Sequence, residues 1–188
     1  MEEDYSGMST DQEVVHAQDL PDGVTASVSG RTITVKGPLG AVQKNFNRIN
    51  VNMEVKGGKI LIKPYSDKKK DVVSSNTASS LVRNIITGVT KGYTYKLKVV
   101  FAHFPVTVKV KGKTVSIENF VGERSARVTD IVGDCEVSVE GDDIIIKGVS
   151  LEDVGQTSAN LEQATKIKRK DQRVFLDGLY IYEKSEGW

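Results

Sequence analysis

Residues 24–40 read V-T-A-S-V-S-G-R-T-I-T-V-K-G-P-L-G, and residues 106–122 read V-T-V-K-V-K-G-K-T-V-S-I-E-N-F-V-G. At this offset of 82 residues, six of the 17 positions are identical, and two others exchange one apolar β-branched residue for another. The similarity continues from residues 53–63 to residues 137–147 at a slightly different offset. Self-similarity at a fixed period indicates a repeated structural unit. The sequence therefore predicts two copies of one unit.

Each copy begins with a pattern that is typical of β-strands. Val24, Ala26 and Val28 alternate with polar residues, as expected when one face of a strand is buried and the other meets water. Gly30 and its equivalent Gly112 follow at the position of a hairpin turn. The repeated stretch therefore predicts one antiparallel hairpin at the start of each copy.

A second hairpin and a helix follow in each copy. In the first copy, residues 51–56 and 59–63 are predicted strands joined by a two-glycine turn. Apolar residues then recur every three or four positions over residues 74–90, which is the pattern of an amphipathic helix. In the second copy, Ser150 and Asp153 have the spacing of a capping box at the start of a helix.

These patterns predict an α+β fold of two tandem homologous repeats, each an antiparallel β-sheet with one α-helix packed on one face. Residues 93–104 are expected to form a strand that closes the first copy, and residues 179–184 a strand that completes the second sheet. The predicted boundaries are an acidic, disordered N-terminal extension at 1–22, a first repeat at 23–105 and a second repeat with a basic C-terminal segment at 106–188.

The net charge of +1 conceals an uneven distribution. Residues 1–22 carry seven acids and no Lys or Arg, residues 23–105 carry 14 cations and three acids, and residues 106–188 carry 12 cations and 15 acids. An acidic segment with few apolar residues is typical of a solvated, disordered tail. The alternative is that this segment screens the basic surface until a polyanion displaces it.

The sequence argues against membrane, secreted and enzymatic classes. No apolar run approaches the roughly 20 residues that span a bilayer, and the N-terminus lacks a secretory signal pattern, so we expect a cytoplasmic protein. The single cysteine, Cys135, is interpreted as a small buried hydrophobe, His16 as part of the acidic segment and His103 as a structural residue of a strand. Without metal-ligand spacings or nucleotide-binding loops, we expect no enzyme activity, no cofactor, no metal and no small-molecule substrate.

Clusters of cations are the remaining candidates for function. Lys68-Lys69-Lys70 is expected in a turn before the first helix, and Arg124 and Arg127 in a loop after Gly122. Five further cations are expected at the end of the second helix: Lys166, Lys168, Arg169, Lys170 and Arg173. Five exceed what a helix dipole needs. Arg and Lys on irregular backbone near aromatic residues favour binding to folded RNA, chiefly through its phosphates.

Five stretches of the chain together resemble one known family. They are V-K-G-P-L-G at 35–40, A-H-F-P at 102–105, I-E-N-F-V-G-E at 117–123, V-G-Q-T-S-A-N-L-E-Q at 154–163 and R-V-F-L-D-G-L-Y-I at 173–181. Over roughly residues 20–185 the chain resembles the large-subunit ribosomal protein numbered six in bacteria and archaea and nine in eukaryotes. The tripeptide Gly155-Gln156-Thr157 resembles the sequence of the archaeal form.

The resemblance implies a structural constituent of the cytoplasmic large ribosomal subunit that supports translation. It implies binding to large-subunit ribosomal RNA near the factor-binding region, beside the sarcin–ricin loop and the stalk base. The implied partners are that RNA and neighbouring large-subunit proteins, including those of the stalk base. The second repeat would make most of the RNA contacts. The expected contact residues are Gly122, Arg124, Arg127, Lys166, Lys168, Arg169, Lys170, Arg173 and Lys184.

Two features depart from the family pattern. The acidic segment at 1–22 is not part of it, and the second repeat is slightly acidic overall, so the first repeat could contact more RNA here. A function of another class also stays open. In this alternative the chain is a non-ribosomal adapter of two β-rich modules that recruits another protein by pairing along a strand edge.

Overall fold

The computed structural model describes residues 16–102, 104–168, 171 and 173–188. It contains two units of the same design. The first unit comprises β1 (His16–Asp19), β2 (Thr25–Ser29), β3 (Thr32–Gly37), β4 (Gly40–Asn45), β5 (Val51–Lys56), β6 (Lys59–Pro64) and α1 (Lys69–Thr90). The second comprises β7 (Tyr93–Val100), β8 (Thr107–Lys111), β9 (Thr114–Glu118), β10 (Arg127–Asp130), β11 (Glu136–Glu140), β12 (Asp143–Gly148), α2 (Leu151–Ala164) and β13 (Gly178–Glu186), with a short 3-10 turn at Phe120–Gly122.

Each unit arranges its strands in two antiparallel sheets. The strand orders are β2-β3-β4 and β1-β6-β5 in the first unit, and β10-β9-β8 and β11-β12-β7-β13 in the second. The predicted hairpin turns at Gly30 and Gly112 have φ values of 60° and 59°, a conformation that glycine adopts without strain. The predicted α+β class with two repeats is confirmed, and each repeat contains two sheets rather than one.

Each helix buries one face in the core of its own unit. Ala78, Val82 and Val89 of α1 are fully buried in the first core, and Val154 and Leu161 of α2 in the second. Full burial of an aliphatic side chain contributes about 1.5–3 kcal/mol. The apolar stripe predicted over residues 74–90 is therefore confirmed, and the two cores hold each helix against its sheets.

Residues Tyr93–Val100 belong to the second unit, so the expectation that this strand closes the first copy is wrong. β7 lies between β12 and β13, and Leu97 pairs with both Ile144 and Ile181. Its side chain is fully buried in the second core. The position of this strand along the chain suggested that it belonged to the first copy. An apolar strand, however, joins the sheet whose core can bury its side chains. The predicted role of β13 in completing the second sheet is confirmed.

The end of the acidic N-terminal segment is ordered, which corrects the expectation of a disordered extension at 1–22 for that part. Residues 16–19 form β1, and this strand pairs with β6 in the place that β7 takes beside β12. Gln18 donates a hydrogen bond from Nε2 to Ser79 Oγ at 2.8 Å, and Asp19 forms an ion pair with Lys59 at 2.8 Å. Pairing between main chains needs no apolar side chains, so the amino-acid composition of this segment did not predict a strand. Residues 1–15 lie outside the described part of the chain, as does His103.

The two helices start differently. α1 begins within the lysine run, with Lys68 at its N-cap position, so the expectation of a turn over Lys68-Lys69-Lys70 is wrong beyond Lys68. The carboxylate of Asp71, buried in the first turn, accepts a hydrogen bond from Ser66 Oγ and offsets cations that oppose the helix dipole. The predicted cap of α2 is confirmed, because Ser150 Oγ accepts a hydrogen bond from Asp153 N at 3.3 Å.

The two units meet where their backbones approach closely. A Cβ added to Gly88 of α1 would lie 2.0 Å from the carbonyl oxygen of Val149, which leads into α2. Within the first unit, a Cβ at Gly37 of β3 would likewise lie 2.7 Å from the carbonyl oxygen of Val89 of α1. Glycine is therefore required at both positions for the backbones to pack at this distance. The Gly88 contact places the second unit, which carries the candidate site, against the first.

Candidate nucleic-acid interface

The segment between α2 and β13 carries exposed cations. Lys166, Lys168 and Arg173 lie on its surface. The Arg173 side chain is 91% exposed, although its Nε contacts the Asp171 carboxylate at 3.3 Å. Open positive charge of this kind suits contact with a phosphate backbone. Two of the five cations predicted here lie outside the described residues: Arg169 and Lys170.

Buried neighbours hold this segment in place. Ile167 is buried in the second core between the exposed Lys166 and Lys168. The hydroxyl of Thr165 accepts a hydrogen bond from Leu179 N at 3.0 Å, which ties the end of α2 to the start of β13. The inward isoleucine directs the two lysines outward, so the cations project from a fixed backbone.

Arg127 connects this segment to the loop before β10. Its Nε and Nη2 donate to the two carboxylate oxygens of Glu123 at 2.8 and 2.6 Å, and its Nη1 donates to the carbonyl of Ala164 at 2.8 Å. Its guanidinium lies 4.4 Å from the centroid of the Phe120 ring. The hydrogen bonds to Glu123 raise the pKa of Arg127 further above its ordinary value. The guanidinium is therefore directed at protein groups, and the geometry favours a positioning role over a phosphate contact.

The loop that Arg127 holds has an unusual backbone. Asn119 and Val121 have φ values of 58° and 51°, and Gly122 has 74°. A β-branched residue rarely adopts this left-handed region, and such residues concentrate at functional sites and clamps. Arg124 follows in the same loop with an exposed side chain, so the loop presents this cation to solvent.

The structure separates Lys184 from the other predicted contact residues. Lys184 lies six residues beyond Gly178 on β13, or about 20 Å at ~3.3 Å per residue. Its Nζ lies 5.3 Å from the centroid of the Tyr95 ring. The contacts of Arg127 thus group the 122–127 loop with the described start of the basic segment, at Lys166, and leave Lys184 outside that group.

The sequence analysis assigned no role at this end of the unit to Phe104 or Asp177, whereas Tyr180 is one of the aromatic residues expected near the cations. Phe104 and Tyr180 are exposed aromatic residues, and Asp177 is buried, with its Oδ1 accepting a hydrogen bond from Ala102 N at 2.9 Å. Asp177 thereby ties the chain after β7 to the start of β13. The D-G dipeptide at 177–178 signals a turn in the sequence, but nothing local to the sequence reveals its long-range partner.

A groove of about 530 Å³ lies between the units, and Cys135 lines it. Burial raises the pKa of the Cys135 thiol to about 11. A thiol with this pKa is almost wholly protonated near neutral pH and is a poor nucleophile. The side chain is partly buried, as a small residue at the edge of the second core, which agrees in part with the expectation of a buried hydrophobe.

Among the residues that the structure describes, no group of three or more His, Cys, Asp or Glu side chains is placed to hold a metal ion. In the same residues, no helix is long and apolar enough to cross a membrane.

The duplicated unit and its exposed cations define a class: two-repeat α+β proteins with cationic surface loops. Comparison with known proteins identifies the family. The sequence model of the family "Ribosomal protein L6" matches residues 20–92 and 104–178. The chain therefore belongs to the Ribosomal protein L6 family. This is a structural family, and the prediction that the chain is not an enzyme is confirmed.

Similar proteins from archaea match over almost their whole length. The large ribosomal subunit protein uL6 of Methanocella arvoryzae is 44% identical over 174 residues, which cover 92% of this chain and 98% of the relative. The uL6 of Staphylothermus marinus is 42% identical over 89% of this chain and 93% of its own length. That of Methanosphaera stadtmanae is 46% identical over 89% and 91%. The predicted resemblance to the archaeal form of this family is thus confirmed.

Proposed function

We propose that the chain is a structural protein of the cytoplasmic large ribosomal subunit and that its second repeat binds large-subunit ribosomal RNA. Membership of the Ribosomal protein L6 family supports the ribosomal role. The RNA contact rests on one observation: the exposed Lys166 and Lys168 flank Ile167, which is buried in the second core. The proposed location is near the factor-binding region, beside the sarcin–ricin loop and the proteins of the stalk base.

The proposed contact residues have two roles. Arg124, Lys166, Lys168 and Arg173 are exposed and suit direct contact with phosphates. Gly122 and Arg127 shape the loop that carries Arg124. Arg169, Lys170 and Lys184 keep their predicted role as further phosphate contacts. Where the backbone beneath the cations is already held in place, less entropy is lost when RNA binds.

Family membership favours this role over an adapter that pairs along a strand edge. The curated relatives are named as ribosomal proteins of the large subunit. A ribosomal structural role needs no catalytic groups in a pocket. The thiol of Cys135 in the groove between the units is a poor nucleophile, which agrees with such a role.

The test is the salt dependence of binding to deproteinised archaeal large-subunit RNA. A triple variant, Lys166→Ala, Lys168→Ala and Arg173→Ala, should bind more weakly, and its plot of log K against log salt should be shallower by roughly 0.7–0.9 for each lost phosphate contact. The matched control is Lys109→Ala, Lys111→Ala and Lys113→Ala, which changes the net charge equally at the far hairpin of the same unit. Equal effects in both triple variants would contradict a localised RNA-binding surface.

A further inference from the structure

Two aromatic rings at one end of the second unit each lie on a glycine. A Cβ at Gly122 would lie 3.2 Å from the ring of Phe104, and a Cβ at Gly178 would lie 3.1 Å from the ring of Tyr180. Both rings therefore pack closely against backbone on one side. They nevertheless remain 46% and 44% exposed. Each ring therefore has one side packed against backbone and keeps nearly half of its surface exposed.

The fold brings these two rings to the same end of the β7–β13 pair. Gly178 pairs with Val100, and Ala102 donates its N–H to Asp177 at 2.9 Å, just before the chain reaches Phe104. The hydroxyl of Tyr180 donates to the carbonyl oxygen of Leu176 at 3.2 Å. The hydrogen bond limits rotation of the Tyr180 ring, so its open face is held in a fixed orientation.

A cation shares a groove with one ring, and another follows the glycine that supports the second ring. Lys166 and Tyr180 line one groove of about 380 Å³. Arg124 comes two residues after Gly122, on which the Phe104 ring rests. A ligand that suits this surface has flat apolar groups and a negatively charged backbone. Unpaired nucleotides have both properties, and aromatic stacking with flanking cations is the usual way that proteins hold them.

We propose that Phe104 and Tyr180 are stacking platforms for two unpaired bases of RNA. This inference rests on the proposed RNA-binding function and adds a base-binding element to a surface that otherwise contacts phosphates. Every base has a π-face, so stacking holds single-stranded or looped RNA with little sequence preference. Double-stranded RNA offers no unstacked base and would not use these rings.

The experiment measures affinity for deproteinised archaeal large-subunit RNA with the full chain. Phe104→Leu and Tyr180→Leu remove each ring but keep an apolar side chain, and each should weaken binding roughly five- to 100-fold with an unchanged salt slope. Tyr180→Phe keeps the ring and should bind nearly as the wild type does. The matched control is Tyr65→Leu, because Tyr65 is a 64% exposed tyrosine of the first unit. Ultraviolet crosslinking of the wild-type complex should join RNA to Phe104 and Tyr180.

Each outcome bears on one proposal or on both. Leucine variants that bind within twofold of the wild type, while the lysine and arginine triple variant binds weakly, would overturn base stacking and leave the RNA-binding function intact. Leucine variants that keep RNA affinity but lose another large-subunit protein would overturn stacking in favour of a protein contact. A wild-type chain that does not bind the RNA would overturn both. Thermal unfolding of each variant identifies any loss of folded protein.

Discussion

Arg127 donates two hydrogen bonds to the carboxylate of Glu123, from Nε to Oε2 at 2.8 Å and from Nη2 to Oε1 at 2.6 Å. The same guanidinium donates to the carbonyl of Ala164 at the end of α2 and packs over the ring of Phe120. One side chain thus links the 119–124 loop to the segment that carries Lys166 and Lys168. The rigidity of the candidate interface depends on this link.

Replacing Arg127 should affect stability and RNA binding differently from replacing Arg124. Arg127→Ala leaves the Ala164 carbonyl and the Glu123 carboxylate without this partner, which should cost about 1–3 kcal/mol of unfolding free energy in urea titrations. Arg124→Ala, the exposed control, should change that free energy by less than about 0.5 kcal/mol. In RNA titrations, Arg127→Ala should weaken binding with the salt slope unchanged, whereas Arg124→Ala should reduce the slope by roughly one phosphate contact.

One result would contradict this positioning role of Arg127. A variant of normal stability whose salt slope falls by a full phosphate contact would show that the guanidinium leaves Glu123 and binds RNA directly. Arg127→Lys sharpens the comparison, because lysine keeps the charge but cannot form the bidentate pair. We expect it to lose stability as the alanine variant does.

The contact between the units predicts an unusual effect of a glycine-to-alanine substitution on stability. Gly→Ala inside a helix normally stabilises by up to ~1 kcal/mol. Gly155→Ala in α2 should follow this rule, since a Cβ there meets nothing within 4 Å. Gly88→Ala in α1 should instead destabilise by about 1–3 kcal/mol, because its Cβ would collide with the Val149 carbonyl. Chemical unfolding of both variants checks this, and a stabilised Gly88→Ala chain would contradict the close packing of the units.

The raised pKa of Cys135 predicts that the stability of the fold depends on pH. Burial raises the pKa of its thiol to about 11, whereas an unfolded cysteine ionises near ~8.5. The unfolded chain therefore releases this proton first as the pH rises, so stability should fall between about pH 8.5 and 11. Burial also raises the pKa of Tyr93 and Tyr95, so the tyrosines contribute to the fall at the upper end of this range.

Two measurements isolate the contribution of Cys135. Stability curves of the wild type and of Cys135→Ala should diverge over this pH range, with the wild type losing more. Iodoacetamide at pH 8 should label the native thiol far more slowly than the unfolded one, because the thiolate is the reactive form. Equal labelling rates in folded and unfolded protein would contradict a protonated, partly buried thiol.

The sequence was sufficient for features that depend on local periodicity. The repeated alternation around Gly30 and Gly112 identified the hairpins, and the spacing of Ser150 and Asp153 identified the cap of α2. These features are encoded within a few residues of where they occur. The two-repeat architecture followed from the duplication of that local pattern.

Features that depend on distant partners could not be predicted in this way. Composition assigned residues 16–19 to an acidic tail, yet their backbone pairs with β6, 40 to 46 positions away. Chain order assigned β7 to the first copy, yet its buried face fits the second core. The support of the Phe104 ring by Gly122 likewise appears only after folding, since the sequence carries no sign of which aromatic residue will approach a glycine.

Sedimentation of an extract from cells that express this chain tests the central claim most directly. The chain is followed by mass spectrometry through sucrose gradients at low and at high salt. We predict that it migrates with the large ribosomal subunit at low salt and is released as salt weakens its phosphate contacts. Migration as a free small protein at both salts would contradict the ribosomal role.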